Sequence, residues 1–382
     1  MVTFDFSIPA KLKFGVDVVN RIGNVVAEFG DKAILVTEGI LHESGTINRI
    51  AEIIQKKGCQ VIIFDDVAPN SMSDIINYGT EVARSSYANV VIGMGGIRCL
   101  SIAKAIAMLS NNRGDISDYF SGLIPQNPSI PYIEIPTTPR NPFMFTDEYW
   151  AVNAKNRNSS ILKTKEDTTR YVLFDPMLTT TLPRRFTATT TIYALSNAIE
   201  GYVSTRSNYL SDTLFLRGIS LIKENLTQAV NIPDDINSRA NLGLAGLLIC
   251  LALSMSSTGI VSAVSYVLSA KYRIHKSLST SVLLPNVMSF NITSSPLKFV
   301  KLAEILGEDI TNLSTVEAAI KAVENIKAMI IKLQLPVRLN EFELNKDDLI
   351  TIADDAKKFD LFNYIPRSCS SEELYEILLS SY

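Results

Sequence analysis

Apolar and polar positions follow two periods in the first half of the chain. Short apolar runs such as 33–37 and 61–64 have the length and composition of buried strands. Between them, the segments 16–29, 46–57 and 73–85 carry apolar residues three and four positions apart, which predicts amphipathic helices. Strands that alternate with helices at this spacing favour a doubly wound parallel sheet.

Beyond Asp175 and Pro176 only helical periodicity remains. Seven segments carry it, namely 187–204, 211–224, 238–255, 260–272, 297–306, 315–333 and 371–380. A polar, strand-like segment at 149–174 precedes them. The pattern therefore predicts an α/β domain of dinucleotide-binding type over residues 1–180, followed by an all-helical domain over residues 181–382.

One predicted strand runs into a glycine turn. The apolar run 90–92 leads into Gly93, Gly95 and Gly96, and a helical pattern follows. A strand, a glycine turn and a helix N-terminus together present backbone N–H groups to a phosphate. Arg98 stands where the third glycine of a G-x-G-x-x-G fingerprint would be, so an ordinary βα connection fits the turn as well.

Ligands of doubly wound sheets bind beyond the carboxyl ends of the strands. Six residues of the chain are expected at those ends and are candidates for binding a cofactor: Glu38, Asn70, Gly95, Gly96, Thr137 and Thr138.

The composition excludes several classes of partner and site. A net charge of −3 gives no basis for binding nucleic acid or an anionic membrane, and no uncharged apolar run reaches the ~20 residues that span a bilayer. The start of the chain lacks a signal-peptide pattern, and the four cysteines form no C-x-x-C pair, so we expect a cytoplasmic protein with free thiols. With only two histidines, His42 and His275, a site built from several imidazoles is excluded.

Short motifs in a fixed order extend these observations along the chain. They are Leu35-Val-Thr-Glu-Gly39, Pro69-Asn70, Ile92-Gly-Met-Gly-Gly96, Ala103-Lys-Ala-Ile-Ala107, Ile135-Pro-Thr-Thr138, Phe174-Asp-Pro-Met-Leu-Thr179, Leu182-Pro183, Ala194-Leu-Ser-Asn-Ala-Ile-Glu-Gly-Tyr-Val-Ser204, Val282-Leu-Leu-Pro285 and Pro366-Arg367. In this order and spacing, over most of its length, the chain resembles the iron-containing (group III) alcohol dehydrogenase family.

The resemblance implies a dehydroquinate synthase-like fold, in which a nucleotide-binding domain precedes a helical, metal-carrying domain. It also implies hydride transfer between a small-molecule alcohol and NAD(P) in the cleft between the domains. Glu38 stands where the family's acidic residue reads the ribose 2′-OH, which favours NAD(H) over NADP(H), although a solvated turn residue fits this position too. Homodimers are implied as well, and residues 2–8 are predicted as a strand, either across the dimer interface or at an edge within the domain.

The metal-binding positions depart from the family pattern. The family's ligands are an Asp and a His four residues apart, then two His fourteen residues apart. In this chain the corresponding positions hold Tyr193, Asn197, Ser262 and Lys276. Tyr and Lys are protonated at neutral pH, and no carboxylate or imidazole remains, so we expect no bound metal. The alternative is a different ligand set drawn from Glu200, Asp212, Glu224 and His275, although His275 is expected to be a surface or helix-end residue.

The family's cofactor loops are altered too. Its G-G-G-S becomes Gly95-Gly96-Ile97-Arg98, in which Ile97 adds bulk beside the pyrophosphate position and Arg98 either pairs with phosphate or fills the site. The second loop matches only at Pro136-Thr137-Thr138. It continues with Phe143, Met144 and Phe145, which either occupy the nicotinamide region or simply pack.

Two hypotheses follow for the function. In the first, the protein is a metal-free oxidoreductase in which Lys276 as a cation and Tyr193 as a proton donor stabilise a developing alkoxide. In the second, it is a non-catalytic relative that binds a nucleotide, another small molecule or a protein partner. Changes at the metal site and at both cofactor loops favour the absence of conventional metal-dependent alcohol oxidation under either hypothesis.

Overall fold

The strands and helices of the chain separate by position. The computed structural model describes residues 4–67, 72–139 and 141–382, and within them every strand lies between Lys11 and Phe174. Contacts divide the chain into a sheet unit, Ser7–Thr181, and a helical unit, Leu182–Tyr382 with the start of the chain up to Phe6. The predicted fold class, a parallel α/β sheet followed by an all-helical region, is confirmed.

Eight strands are present among the described residues. They are β1 (Lys11–Phe14), β2 (Lys32–Thr37), β3 (Gln60–Phe64), β4 (Val90–Gly95), β5 (Tyr132–Pro136), β6 (Glu148–Val152), β7 (Ser159–Lys163) and β8 (Thr169–Phe174). Six of them form a parallel sheet in the order β1-β8-β5-β4-β2-β3, while β6 and β7 form an antiparallel hairpin. The central strands are buried on both faces, which explains their continuous apolar sequences.

The sheet contains a topological switch point. From β2 the chain passes to β3 on one side, and then to β4 on the other side of β2. Thr37 pairs with Met94, so β2 and β4 end side by side. In doubly wound sheets a crevice opens outside the strand ends at such a point, and ligands bind there.

The helices of the sheet unit cover both faces of the sheet. They are α1 (Ile22–Ala27), α2 (Ile40–Glu43), α3 (Thr46–Gln55), α4 (Met72–Ser85), α5 (Ile97–Ser110) and α6 (Ile116–Phe120), with 3-10 turns at Val18–Arg21 and Pro176–Thr179. An apolar core forms between α1, α3 and one sheet face. On α5 nearly every side chain is buried, because this helix packs against α4, β4 and β6.

The helical unit consists of nine α-helices in its described residues. They are α7 (Arg184–Val203), α8 (Tyr209–Asn231), α9 (Ile236–Leu253), α10 (Ile260–Lys271), α11 (Lys276–Asn291), α12 (Pro296–Leu306), α13 (Thr315–Lys332), α14 (Asp348–Ala356) and α15 (Ser371–Ser381). Helix α7 is central, since it packs against α8, α9, α10 and α11 and is buried from Thr187 to Val203.

By length and composition alone, α9 is apolar enough to cross a membrane. Most of its residues, 61%, are buried, and it packs against α8 along much of its length. It therefore has the environment of a core helix.

Two predicted elements differ from the structure, and the sequence analysis missed four helices, namely α2, α6, α11 and α14. Residues 4–8 form no strand, and residues 2 and 3 lie outside the described part; the edge strand is β1, which begins after Pro9, a residue that cannot donate to a sheet ladder. The segment 16–29 forms a 3-10 turn and the short α1 instead of one helix, preceded by Asp17 in the left-handed region at φ 60°. Helix α11 escaped prediction because it is rich in Ser and Thr and contains Pro285.

Candidate active site

Glu38 lies against the glycine turn at the switch point. Its Oε1 accepts a hydrogen bond of 3.0 Å from the N–H of Gly96, which is the N-cap residue of α5. A Cβ atom on Gly95 would lie 2.9 Å from the Cβ of Cys99 and 3.1 Å from Glu38 Oε1. The turn is therefore closely packed. A carboxylate oxygen of Glu38 already accepts the backbone N–H that the sequence analysis predicted as a phosphate donor.

Arg98 lies in the first turn of the same helix. Burial lowers the pKa of its guanidinium to about 10, and the nearby Glu38 carboxylate opposes that shift. Arg98 is thus charged at neutral pH. A cation is disfavoured at a helix N-terminus, so the negative charge of Glu38 compensates both the helix dipole and the desolvated guanidinium.

The remaining predicted cofactor residues divide into three cases. Thr137 donates its backbone N–H to the Gly95 carbonyl at 3.1 Å, and both Thr137 and Thr138 are buried. Ile97 is buried in the sheet unit, where its side chain packs. Asn70 lies outside the described residues. The structure therefore brings Glu38 and the Gly95–Arg98 turn together and places Thr137 on the neighbouring strand end.

The loop after β5 is anchored by a lysine whose role the sequence reasoning missed. Lys104 of α5 is 1% exposed, and its Nζ donates to the carbonyl oxygens of Phe143 at 2.7 Å and Thr146 at 2.8 Å. Phe143, Met144 and Phe145 are all buried within the sheet unit, as packing residues are. Residues 103–107 are small or apolar apart from this lysine, and that exception could have indicated a buried, hydrogen-bonded side chain.

A second anchor of this loop is Glu134 on β5. It is fully buried, and its Oε1 accepts a hydrogen bond of 2.7 Å from Asn141 Nδ2. Burial raises the pKa of Glu134 and lowers the pKa of Lys104, while each charge opposes the shift of the other. A glutamate in the apolar strand 132–135 was the corresponding signal in the sequence.

The positions aligned with the family's metal ligands lie on three mutually packed helices of the helical unit. Tyr193 and Asn197 are one turn apart on α7, Ser262 is in the first turn of α10, and Lys276 is the first residue of α11. All four side chains are buried, with exposed fractions of 0%, 2%, 1% and 4%. The structure thus makes them part of one buried region.

Hydrogen bonds connect these helices. Ser262 Oγ lies 3.4 Å from Asn197 Oδ1 and donates to Glu200 Oε2 at 2.7 Å. Glu200 also accepts the N–H of Val261 at 2.7 Å, so a carboxylate from α7 caps α10. Burial raises the pKa of this carboxyl, while the hydrogen bonds lower it. Lys276 Nζ lies 5.8 Å from the ring centroid of Tyr266.

These side chains do not fit a divalent metal. A phenol, an amide and a hydroxyl are poor ligands beside carboxylate and imidazole, and the Lys276 ammonium repels a cation. Glu200 is engaged in capping α10, Asp212 pairs with Lys298, and Glu224 pairs with Arg217. Throughout the described ranges, no three His, Cys, Asp or Glu side chains are grouped so that they could hold a metal ion.

The alternative ligand set is not brought together by the fold. His275, its only imidazole, is exposed at the N-cap of α11, where Nδ1 lies 2.7 Å from Ser277 Oγ and the ring meets Phe186 edge-on. This is the helix-end position expected from the sequence. The other histidine, His42, lies 2.5 Å from Asp65 Oδ2 on the surface of the sheet unit.

Together, a doubly wound sheet with a glycine turn at its switch point and a following helical unit are typical of proteins that join a nucleotide-binding domain to a helical domain. Family models agree: "Iron-containing alcohol dehydrogenase" matches residues 9–176, and "Fe-containing alcohol dehydrogenase family, C-terminal" matches residues 187–382. The chain belongs to the iron-containing alcohol dehydrogenase family.

Several relatives match the whole chain. It is 28% identical to the 1,3-propanediol dehydrogenase of Klebsiella pneumoniae, over 99% of both chains. It is 26% identical to the NAD-dependent methanol dehydrogenase of Bacillus methanolicus, over 98% of both chains. A crystal structure of 1,3-propanediol oxidoreductase superposes with a TM-score of 0.94, at 28% identity and full coverage of both chains.

Proposed function

We propose that this protein is an NAD(H)-linked oxidoreductase of small alcohols and aldehydes that works without a divalent metal. The observation that carries the proposal is the buried lysine at the position of a family metal ligand: Lys276 is 4% exposed and belongs to the same packed region as Tyr193. Of the two hypotheses drawn from the sequence, this one retains the family's reaction.

The environment of Lys276 supports a functional role. Burying an ammonium group costs free energy, and the first residue of a helix is an unfavourable place for a cation because of the helix dipole. A buried lysine at this position is well suited to stabilise negative charge on a bound ligand. That is the electrostatic task a Lewis acid performs in metal-dependent alcohol oxidation.

The chain's own residues have separate tasks in the proposed reduction. When bound, reduced nicotinamide supplies the hydride to the carbonyl carbon of the substrate. The Lys276 ammonium stabilises the negative charge that develops on the carbonyl oxygen, and the Tyr193 hydroxyl donates the proton that converts this oxygen to an alcohol. Carbonyl, NADH and one proton thus give alcohol and NAD⁺, and solvent returns the proton to Tyr193.

The preference for NAD(H) is part of the proposal. The carboxylate of Glu38 at the switch point disfavours a 2′-phosphate through charge repulsion. The relative from Bacillus methanolicus is named as NAD-dependent, which agrees with this preference. Assembly as a homodimer and a cytoplasmic location stay predictions from the sequence.

The first experiment combines metal analysis of the purified protein with NADH and NADPH titration and with turnover of aldehydes, 1,3-propanediol and methanol. We expect no stoichiometric iron or zinc and a chelator-insensitive, NADH-linked reduction. Lys276→Met and Tyr193→Phe should each lower kcat/KM by about 10²–10⁴-fold. Lys301→Met, at an exposed ion pair with Glu304, is the matched control and should change it less than two-fold.

Two outcomes contradict the proposal. Stoichiometric metal whose removal abolishes turnover would mean that the aligned positions are not the metal site. Absence of both dinucleotide binding and turnover would favour the second hypothesis, a non-catalytic relative. The observation on which that alternative rests is the Glu38 carboxylate already bound to the glycine turn.

A further inference from the structure

We infer that Glu38 is an internal anion that closes the glycine turn to phosphate, so that a phosphorylated ligand must displace its carboxylate before binding there. The inference rests on the proposed function only for the identity of that ligand, a dinucleotide. The occupied turn itself is a property of the sheet unit.

The geometry is that of an anion site filled from within. Helix N-termini bind phosphate through free backbone N–H groups, and Gly96 supplies the N-cap N–H of α5. This N–H donates to Glu38 Oε1 at 3.0 Å, and the same oxygen lies 3.1 Å from the position of a Cβ on Gly95. A phosphate oxygen cannot take this N–H while the carboxylate holds it.

Charge strengthens the contact. Arg98 stands one residue inside α5, and the Glu38 carboxylate is the largest influence that keeps its half-buried guanidinium protonated. The Glu38 carboxylate therefore accepts the N-cap N–H of α5 and also lowers the electrostatic cost of the Arg98 guanidinium. A phosphate brought beside Glu38 would meet a like charge in a partly desolvated crevice, which is unfavourable until the carboxylate moves away.

This role differs from reading a ribose, and the two roles predict opposite effects of one substitution. If Glu38 accepts a hydrogen bond from the 2′-OH, its removal weakens every ligand that contains ribose. If Glu38 occupies the phosphate position, its removal strengthens ligands that contain phosphate and leaves adenosine unchanged.

The test measures binding of inorganic pyrophosphate, ADP and adenosine to the full-length protein by titration calorimetry. Glu38→Ala removes both the charge and the hydrogen bond, whereas Glu38→Gln keeps an acceptor without the charge. We expect pyrophosphate and ADP to bind about ten-fold more tightly to Glu38→Ala than to the wild type, and Glu38→Gln to fall between them. Adenosine affinity should stay within two-fold.

Glu43→Gln is the matched control, because Glu43 lies on α2 in the same segment, is exposed, and carries the same charge. It should change the affinity for pyrophosphate and ADP less than two-fold. Equal or weaker pyrophosphate and ADP binding in a folded Glu38→Ala or Glu38→Gln protein would overturn the inference, as would weaker adenosine binding. An absence of NADH-linked turnover beside tighter ADP binding would refute the proposed function and leave the inference standing.

Discussion

Single buried charges determine the conformation of the loop that follows β5. Lys104 donates to the carbonyl oxygens of Phe143 and Thr146, and Glu134 accepts from Asn141. Two buried ionisable side chains thus form hydrogen bonds with the same loop. Burial raises the pKa of Glu134 and lowers the pKa of Lys104, and each charge opposes the shift of the other, so their opposite charges limit the cost of burying either one.

Lys104→Met should therefore destabilise the sheet unit strongly. The substitution leaves the buried carbonyl oxygens of Phe143 and Thr146 without a donor and removes the charge that favours ionised Glu134. Each buried polar group left unpaired costs about 1–3 kcal/mol, so we expect the unfolding free energy to fall by about 2–5 kcal/mol. Urea unfolding, followed by circular dichroism, measures this loss. The double variant with Glu134→Gln should recover part of it, and the exposed Lys301→Met should cost less than ~0.5 kcal/mol. A loss below ~1 kcal/mol for Lys104→Met would contradict this account.

At the scale of elements, α10 begins on a carboxylate supplied by α7. Glu200 accepts the N–H groups of Val261 and Ser262 at 2.7 and 3.2 Å, which satisfies donors that a helix N-terminus otherwise leaves unpaired. This cap also fixes Ser262, one of the four aligned positions, relative to α7.

Glu200→Ala should lower the unfolding free energy of the helical unit by about 2–3 kcal/mol. The estimate combines the loss of a cap with charged hydrogen bonds left unmade in a buried position. Thermal unfolding of the purified variant measures it. Glu224→Ala removes a half-exposed carboxylate from α8 and serves as the control, with an expected change within ~0.5 kcal/mol. Equal effects of the two substitutions would show that the α10 cap carries little stability.

The sequence predicted elements well where one period dominated. The seven segments with clear helical periodicity correspond to helices, because their apolar stripes are buried against neighbours. Helix α11 was missed because its Ser and Thr residues and Pro285 give no apolar stripe, and burial on several sides removes the need for one. The edge strand expected within the domain at 2–8 was wrong for residues 4–8, since an alternating pattern alone does not say which residues pair. Pairing of this segment across a dimer interface stays a prediction.

At the scale of the whole molecule, the candidate sites depend on contacts that no local pattern contains. Glu38 and Gly96 are 58 residues apart in sequence, and each was recognised as lying at a strand end. The hydrogen bond between Glu38 and Gly96 depends on the strand order, which places β2 beside β4. Similarly, the motif around Tyr193 gave no sign that Glu200 would cap another helix, because capping needs the packing of α7 on α10.

The last prediction concerns the effect of metal on the thermal stability of the whole molecule. If the aligned positions are the family's ligand positions, wild-type thermal stability should not respond to a chelator or to added Zn²⁺ or Fe²⁺, with a change in Tm below ~1 °C. The fourfold variant Tyr193→Asp, Asn197→His, Ser262→His and Lys276→His restores the family's donor set in the same buried region. Metal at about 1,000 times its Kd contributes ~4 kcal/mol to the folded state, so Tm of this variant should rise on the order of 10 °C.

The threefold variant that retains Lys276 separates charge from ligand number. It has three of the four donors, as catalytic metal sites often do, but its ammonium group stays where the dication would bind. We therefore expect it to show no metal-dependent rise in Tm, and the difference from the fourfold variant assigns the exclusion of metal to Lys276. If the fourfold variant folds but its Tm does not rise with added metal, these four side chains do not converge on one point. The proposed catalytic role of Lys276 and Tyr193 would then lose its geometric basis.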